Sequence, residues 1–150
     1  MEDMNVLIVY DADNSAIKNA AKLIADTLSK ENIDVAVKHA DLISKRDIEK
    51  TNLVVIGSQT TQKGISSKIE LFLRKNFREL KYKNYTSFTI TKKGFLHSLL
   101  RNANNVLKRR LSRLRSRQAV PPLEINSYSF ENIPEEKEKI INFAKFLWMF

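Results

Sequence analysis

The chain has 150 residues, 43% hydrophobic and 29% charged, with no cysteine and two histidines, His39 and His97. That composition excludes a disordered chain, a disulfide framework and any cysteine-ligated zinc or iron–sulfur centre, and two lone histidines argue against a histidine metal site. The net charge is +9, yet residues 1–80 balance 12 cations against 12 acids, residues 81–117 hold 11 cations and no acid, and residues 118–150 hold 3 cations and 5 acids. The excess therefore predicts one local basic face. No apolar run approaches the ~20 residues that cross a bilayer. The acidic start, Met1-Glu-Asp-Met4, is unlike a secretory signal. The expectation is a single domain over residues 1–150, located in the cytoplasm.

Asn5–Tyr10 is a continuous apolar run rich in β-branched residues and reads as a strand buried on both faces, as in a parallel sheet. The polar turn Asp11–Ser15 follows, rich in N-cap residue types. Ile17, Ala20, Ala21, Ile24, Ala25 and Leu28 then recur at helical spacing. Ile33–Lys38 alternates and predicts a second strand nearer an edge, and Leu42–Lys50 predicts a short polar helix. Leu53–Ile56 predicts a third buried strand that ends in Gly57; the loop Ser58–Gly64 leads into a helix carrying Ile65, Ile69, Leu71, Phe72 and Leu73. Tyr85–Thr91 predicts a fourth strand. Lys92-Lys93-Gly94 turns into a long fourth helix with Leu100, Ala103, Leu107, Leu111 and Leu114 on one stripe, stopped by Pro121-Pro122. Leu123–Ser129 predicts a fifth strand, and Pro134 opens a last helix with Ile140, Ile141, Phe143, Ala144 and Leu147 facing in.

Strands alternating with helices imply a mostly parallel sheet covered on both faces. In such sheets ligands bind outside the carboxyl ends of the strands. The chain's three glycines, Gly57, Gly64 and Gly94, all fall in the loops predicted after the third and fourth strands. Glycine there serves a sharp turn or cap, or a close backbone approach to a ligand. Side-chain catalysis is not indicated. Ser58, Ser98 and His97 lie on that edge, but no set of nucleophile, base and orienting group assembles.

The succession Val6-Leu-Ile-Val-Tyr10, polar loop, helix with Leu23-Ile-Ala25, then Val54-Val-Ile-Gly-Ser-Gln-Thr60 and a helix with Phe72-Leu73 resembles the flavodoxin family in order and spacing over essentially the whole chain. Gly57-Ser58-Gln59-Thr60 is similar to the family's Gly-Ser-Pro-Thr loop. The resemblance implies an α/β three-layer sandwich, its five-stranded parallel sheet in the order 2-1-3-4-5. It also implies FMN as cofactor and electron transfer to a redox partner. By position it assigns the cofactor to Asp13, Asn14, Ser15, Ala16 and Ile17 at the phosphate, to Ser58, Gln59, Thr60, Thr61 and Gln62 after the third strand, and to Thr91, Lys92, Lys93, Gly94 and Phe95 after the fourth. Phe95 is the aromatic of these loops available to stack on the ring, and Lys92 or Lys93 is placed to offset charge at flavin N1. The phosphate loop is degenerate. The family's hydroxyl positions fall on Ala12, Asn14 and Ile17, its glycine falls on Ser15, and Asp11 and Asp13 bring negative charge to the loop. Backbone amides at a helix N-terminus remain able to hold a phosphate. Asp11 and Asp13 also resemble the acidic pair of receiver domains, but Gly57-Ser58 stands where a phosphate-accepting aspartate is needed, which excludes phosphotransfer.

The fourth helix is read as Arg101–Arg117, with cations Arg101, Lys108, Arg109, Arg110, Arg113, Arg115 and Arg117 and no acid within it. An ordinary solvated helix face mixes signs. This one points to an acidic partner or, non-specifically, to nucleic acid, and it supplies the alternative reading of a cofactor-less binding module. No aromatic residue interleaves the cations, so base stacking is excluded. The apolar end Phe146-Leu-Trp-Met-Phe150 predicts a tail that folds back on the sheet edge or is buried in a homodimer.

Overall fold

The computed structural model of the chain describes residues 4–13, 15–91 and 103–149. Six strands, β1 (Asn5–Tyr10), β2 (Asp34–His39), β3 (Leu53–Gln59), β4 (Asn84–Ile90), β5 (Arg117–Gln118) and β6 (Leu123–Ile125), form one sheet in which every pairing is parallel. The order is β2-β1-β3-β4-β5, with β6 also on β4. The expected order 2-1-3-4-5 is therefore observed, but the fifth position is a broken strand. β5 pairs with Asn84 and Tyr85, while β6 pairs with Phe88–Ile90. Pro121-Pro122 lies between the two, where missing N–H donors interrupt the ladder.

Alternation along the strands feeds two cores. Val6, Ile8, Leu53, Val55 and Phe88 face one side, where they meet α1 (Ala16–Ser29) and α6 (Pro134–Met149). Leu7, Val9, Val54, Ile56 and Tyr85 face the other. There they meet the small helices α2 (Lys45–Glu49) and α4 (Phe77–Leu80) and the longer α3 (Ser67–Lys75) and α5 (Ala103–Ser112). Ile8, Val55 and Phe88 are all fully buried, as a central strand position requires. Ser44 and Asp47 form a capping box on α2, and Lys38 on the neighbouring edge strand holds the same carboxylate. Backbone and side-chain donors at Ser44, together with Lys38, lower the Asp47 carboxyl to about 2.

Gly57 corrects the loop assignment made for it. It sits inside β3, opposite Phe88, and the Phe88 ring occupies the space a side chain would need: a Cβ there would lie 2.3 Å from the ring's Cζ. Its small size serves a cross-strand aromatic contact and not a ligand. Gly64 does serve a turn. With φ 102° it closes a tight turn in which Thr61 and Gly64 exchange two backbone hydrogen bonds of 2.9 Å. Of the apolar residues on α3, Ile69, Phe72 and Leu73 are buried and Leu71 is exposed.

The fourth long helix also ends earlier than its apolar stripe suggests. Past Ser112 the chain closes with Ser116 N–H donating to Leu111 O and Arg115 N–H to Ser112 O, and Arg115 adopts a left-handed φ of 55°. That is a Schellman closure with arginine where glycine is usual. The helix therefore does not run to the prolines, and Arg117 belongs to edge strand β5. At the C-terminus α6 continues to Met149, so Trp148 and Met149 do not fold back on the sheet: with Phe146 they stay exposed, and only Leu147 turns inward. Phe150 lies outside the described residues.

Two stability predictions follow from these backbones. Gly57→Ala should destabilise the chain by about 1–3 kcal/mol through overpacking against Phe88, and adding Phe88→Leu should recover part of that loss in denaturant unfolding. Arg115→Gly should stabilise it by about 0.5–1 kcal/mol by relieving the left-handed arginine, measured the same way.

Candidate functional site

Because all strands are parallel, their carboxyl ends meet at one edge, and the described residues that leave β1, β3 and β4 lie there together, for β4 as far as Thr91. The chain leaves β1 at Tyr10 and enters Asp11, which is 5% exposed. Asp11 Oδ2 accepts the Gln59 N–H at 2.9 Å, tying the end of β1 to the end of β3 beyond their ladder. Its other oxygen, Oδ1, is buried with no hydrogen-bond partner among the described residues. Burial pushes the Asp11 carboxyl above the ordinary aspartate value, and the Gln59 amide, Ser66 and His39 offset this only in part.

Two residues on, Asp13 is in the opposite condition. It is exposed, and its Oδ1 accepts from Tyr10 Oη at 3.0 Å and from Lys18 Nζ at 3.1 Å. The Lys18 and Tyr10 hydrogen bonds hold its carboxyl below the ordinary range. Lys18 also lies over the Tyr10 ring, and that ring meets His39 edge-on at 5.5 Å. Ser15 stands at the N-cap of α1 in extended conformation, but its hydroxyl donates back to Ala12 O at 2.7 Å and makes no cap hydrogen bond. The first-turn amides of Ala16 and Ile17 are thus not covered by the Ser15 side chain. The Ile17 side chain itself is in the core. Asn14 lies outside the described residues.

Ser58 and Gln59, expected in the loop after the third strand, belong to the end of β3, and from there the residues divide. Ser58 is fully buried, donating to Gln59 O and accepting the Ser66 N–H, so its hydroxyl shapes the loop. Thr60 and Thr91 are brought together, their hydroxyls 2.9 Å apart, and the Thr60 N–H donates to Ile90 O. These contacts lock the β3 exit to the β4 exit. Thr61 Oγ1 donates to Ile65 O, and Gln62 is exposed at the tip of the Thr61–Gly64 turn. Thr91 is buried. Lys92, Lys93, Gly94 and Phe95, with His97, Ser98 and Arg101, lie outside the described residues.

Two features of this edge escaped sequence reasoning. Asp11 reads locally as one of two like acids in a polar turn; its burial depends on Gln59, 48 positions away. Tyr128, in the loop after β6, is a further aromatic, with its hydroxyl pKa raised by burial and by the proximity of Asp11. Neither carries a local pattern that reveals it.

The basic residues are not one uninterrupted array. Lys108, Arg109 and Arg110 lie on α5, Arg113 and Arg115 in its terminal turn, and Arg117 on β5. Arg110 is paired with Glu70 of α3, which also accepts from Arg74 Nε at 3.1 Å. An acid absent from the helix itself is supplied by its neighbour.

No family model matches the sequence, and no curated protein matches it significantly. Solved structures do. Oxidised flavodoxin 2 from Bacillus cereus is 20% identical, with a TM-score of 0.79 over 97% of this chain and 99% of its own. Oxidised flavodoxin 1 from the same organism is 14% identical, with a TM-score of 0.79 over 95% of each chain. The two-electron reduced flavodoxin of Megasphaera elsdenii is 20% identical, with a TM-score of 0.74 over 93% of this chain and 98% of its own. The chain therefore has the flavodoxin fold. No helix among the described residues is long and apolar enough to cross a membrane.

The titration of Asp11 has a sign that can be measured. Folding raises its pKa, so the folded chain binds this proton more tightly than the unfolded one. The resulting stability is complete below the ordinary aspartate value and is lost as pH rises through the raised one. Relative to Asp11→Asn, the wild type should be most stable in acid and lose ground toward neutrality, as read from melting temperatures across that range. A difference that does not change with pH would contradict the burial of this carboxyl.

Proposed function

We propose that this chain is an FMN-binding electron carrier that holds its cofactor along the carboxyl edge of the sheet. The fold supports the reading, and the observation that carries it is Asp11 Oδ1, a buried oxygen at that edge with no donor among the described residues. A ribityl hydroxyl is the kind of donor it lacks. An unmet buried acceptor costs about 1–3 kcal/mol, which a ligand at this position would relieve.

The residues of the β1–α1 loop fit a phosphate. The α1 N-terminus offers the Ala16 and Ile17 amides without a Ser15 side-chain cap over them. Lys18 neutralises Asp13, so the loop's exposed carboxylate is not an uncompensated charge. The Thr60–Thr91 contact ties together the exits of β3 and β4, from which the flanks of the ring would come, and the turn closed by Gly64 presents Thr61 and Gln62 beside them. Bound FMN supplies one- and two-electron transfer, so no catalytic side chain is required of the protein. The chain's own residues bind and orient the cofactor and set the charge around it.

FMN titration followed by quenching of flavin fluorescence tests this. Wild type should bind FMN, and Asp13→Asn should bind it about fivefold more tightly by removing a like charge from the phosphate's surroundings. Riboflavin, which lacks the phosphate, should not respond to that substitution. A protein that neither carries nor quenches FMN would overturn the proposal.

A further inference from the structure

Between α3 and α5 runs a groove of about 640 Å³. It begins at the loop Thr61–Ile65, on the carboxyl edge of the sheet, and its charged lining is Lys63, Arg74, Arg109, Arg110, Arg113 and Glu70. Glu70 is occupied by Arg74 and Arg110. Among the described residues Lys63, Arg109 and Arg113 have no ion-pair partner, and all three are exposed. Like charges gathered in a groove attract counter-charge more strongly than the same charges spread over a convex surface.

We propose that this groove is the docking site for an acidic protein segment of the redox partner, a proposal that rests on the electron-carrier reading for the partner's role. Three features select this occupant. Guanidinium groups match carboxylates with two parallel hydrogen bonds, and two of the three unpaired cations are arginines. From Ser67 to Arg74, and from Val106 to Arg113, the lining advances seven residue steps along the chain, about 10 Å at helical rise. That length suits an extended segment whose alternate side chains fall ~7 Å apart, and exceeds what one phosphate group needs. Among the described residues no aromatic side chain lines the groove, so a nucleobase finds nothing there to stack on. A segment seated here lies against the loop that leaves β3, and so brings the partner to the edge where the cofactor is proposed.

The test uses the full chain and a fluorescein-labelled peptide of consecutive glutamates, followed by anisotropy at low and moderate salt. Binding should be present at low salt and weaken as salt rises. Arg109→Gln with Arg113→Gln should weaken it about tenfold. Lys108→Gln with Arg115→Gln removes the same net charge outside the groove and should change it by less than about twofold. Equal losses in the two pairs, or no binding at low salt, would overturn the groove as the site. Tighter binding of duplex DNA through Arg109 and Arg113 would overturn the acidic-protein occupant. FMN quenching by the same variants separates the two readings: it should be unchanged by the groove pair. A wild type that binds the peptide through Arg109 and Arg113 but never binds FMN would overturn the electron-carrier reading and leave the groove as an acidic-segment site.

Discussion

The burial of β1, β3 and β4 on both faces governs the architecture. None of Val6–Val9 or Leu53–Ile56 is more than 2% exposed, so each strand must find apolar cover above and below. Only helices returning over the sheet supply that cover, and each return makes the next strand parallel to the last. Parallel strands send every carboxyl end to the same edge. The convergence of Asp11, Gln59, Thr60 and Thr91 thus follows from hydrophobic satisfaction of the interior before any ligand is considered.

That same logic explains what could be read in advance. β1 and the first half of β3 are apolar runs rich in β-branched residues, and α1 repeats its apolar residues at one face, so pattern alone locates them. The end of α5 was obscured because Leu114 keeps the helical spacing while a left-handed arginine, not a glycine, closes the helix. Pro121-Pro122 reads equally as a helix stop or a break in an edge strand, and only the pairing of β5 and β6 with β4 distinguishes them. Gly57 reads as the start of a loop because its reason, the Phe88 ring, is 31 residues away. At the site, the parallel order read from the sequence brings the exits of β1, β3 and β4 to one edge. Which side chains face inward depends on long-range hydrogen bonds, as with Ser58 and Asp11.

Electrostatics shows the same dependence on tertiary neighbours. Asp11 and Asp13 are two residues apart in one loop, yet burial raises the first carboxyl while Lys18 and Tyr10 hold the second low. Glu70 performs a comparable sorting on the far face. Its single negative charge is shared between Arg110 and Arg74 and so divides the positive charge into a paired part and an unpaired part. Net charge along the sequence located the excess, but only packing of α3 against α5 shows which cations remain unmatched.

The broken fifth strand bears on the chain's behaviour in a crowded solution. A continuous outer strand exposes a row of unsatisfied N–H and C=O groups that another polypeptide can extend into a fibril. Here that row is interrupted by two consecutive prolines, and the two remaining pieces are only two and three residues long. Intermolecular strand addition at this margin would find too few consecutive donors to propagate. The irregularity that breaks the strand is also a built-in barrier to self-association through the backbone at this one edge of the sheet.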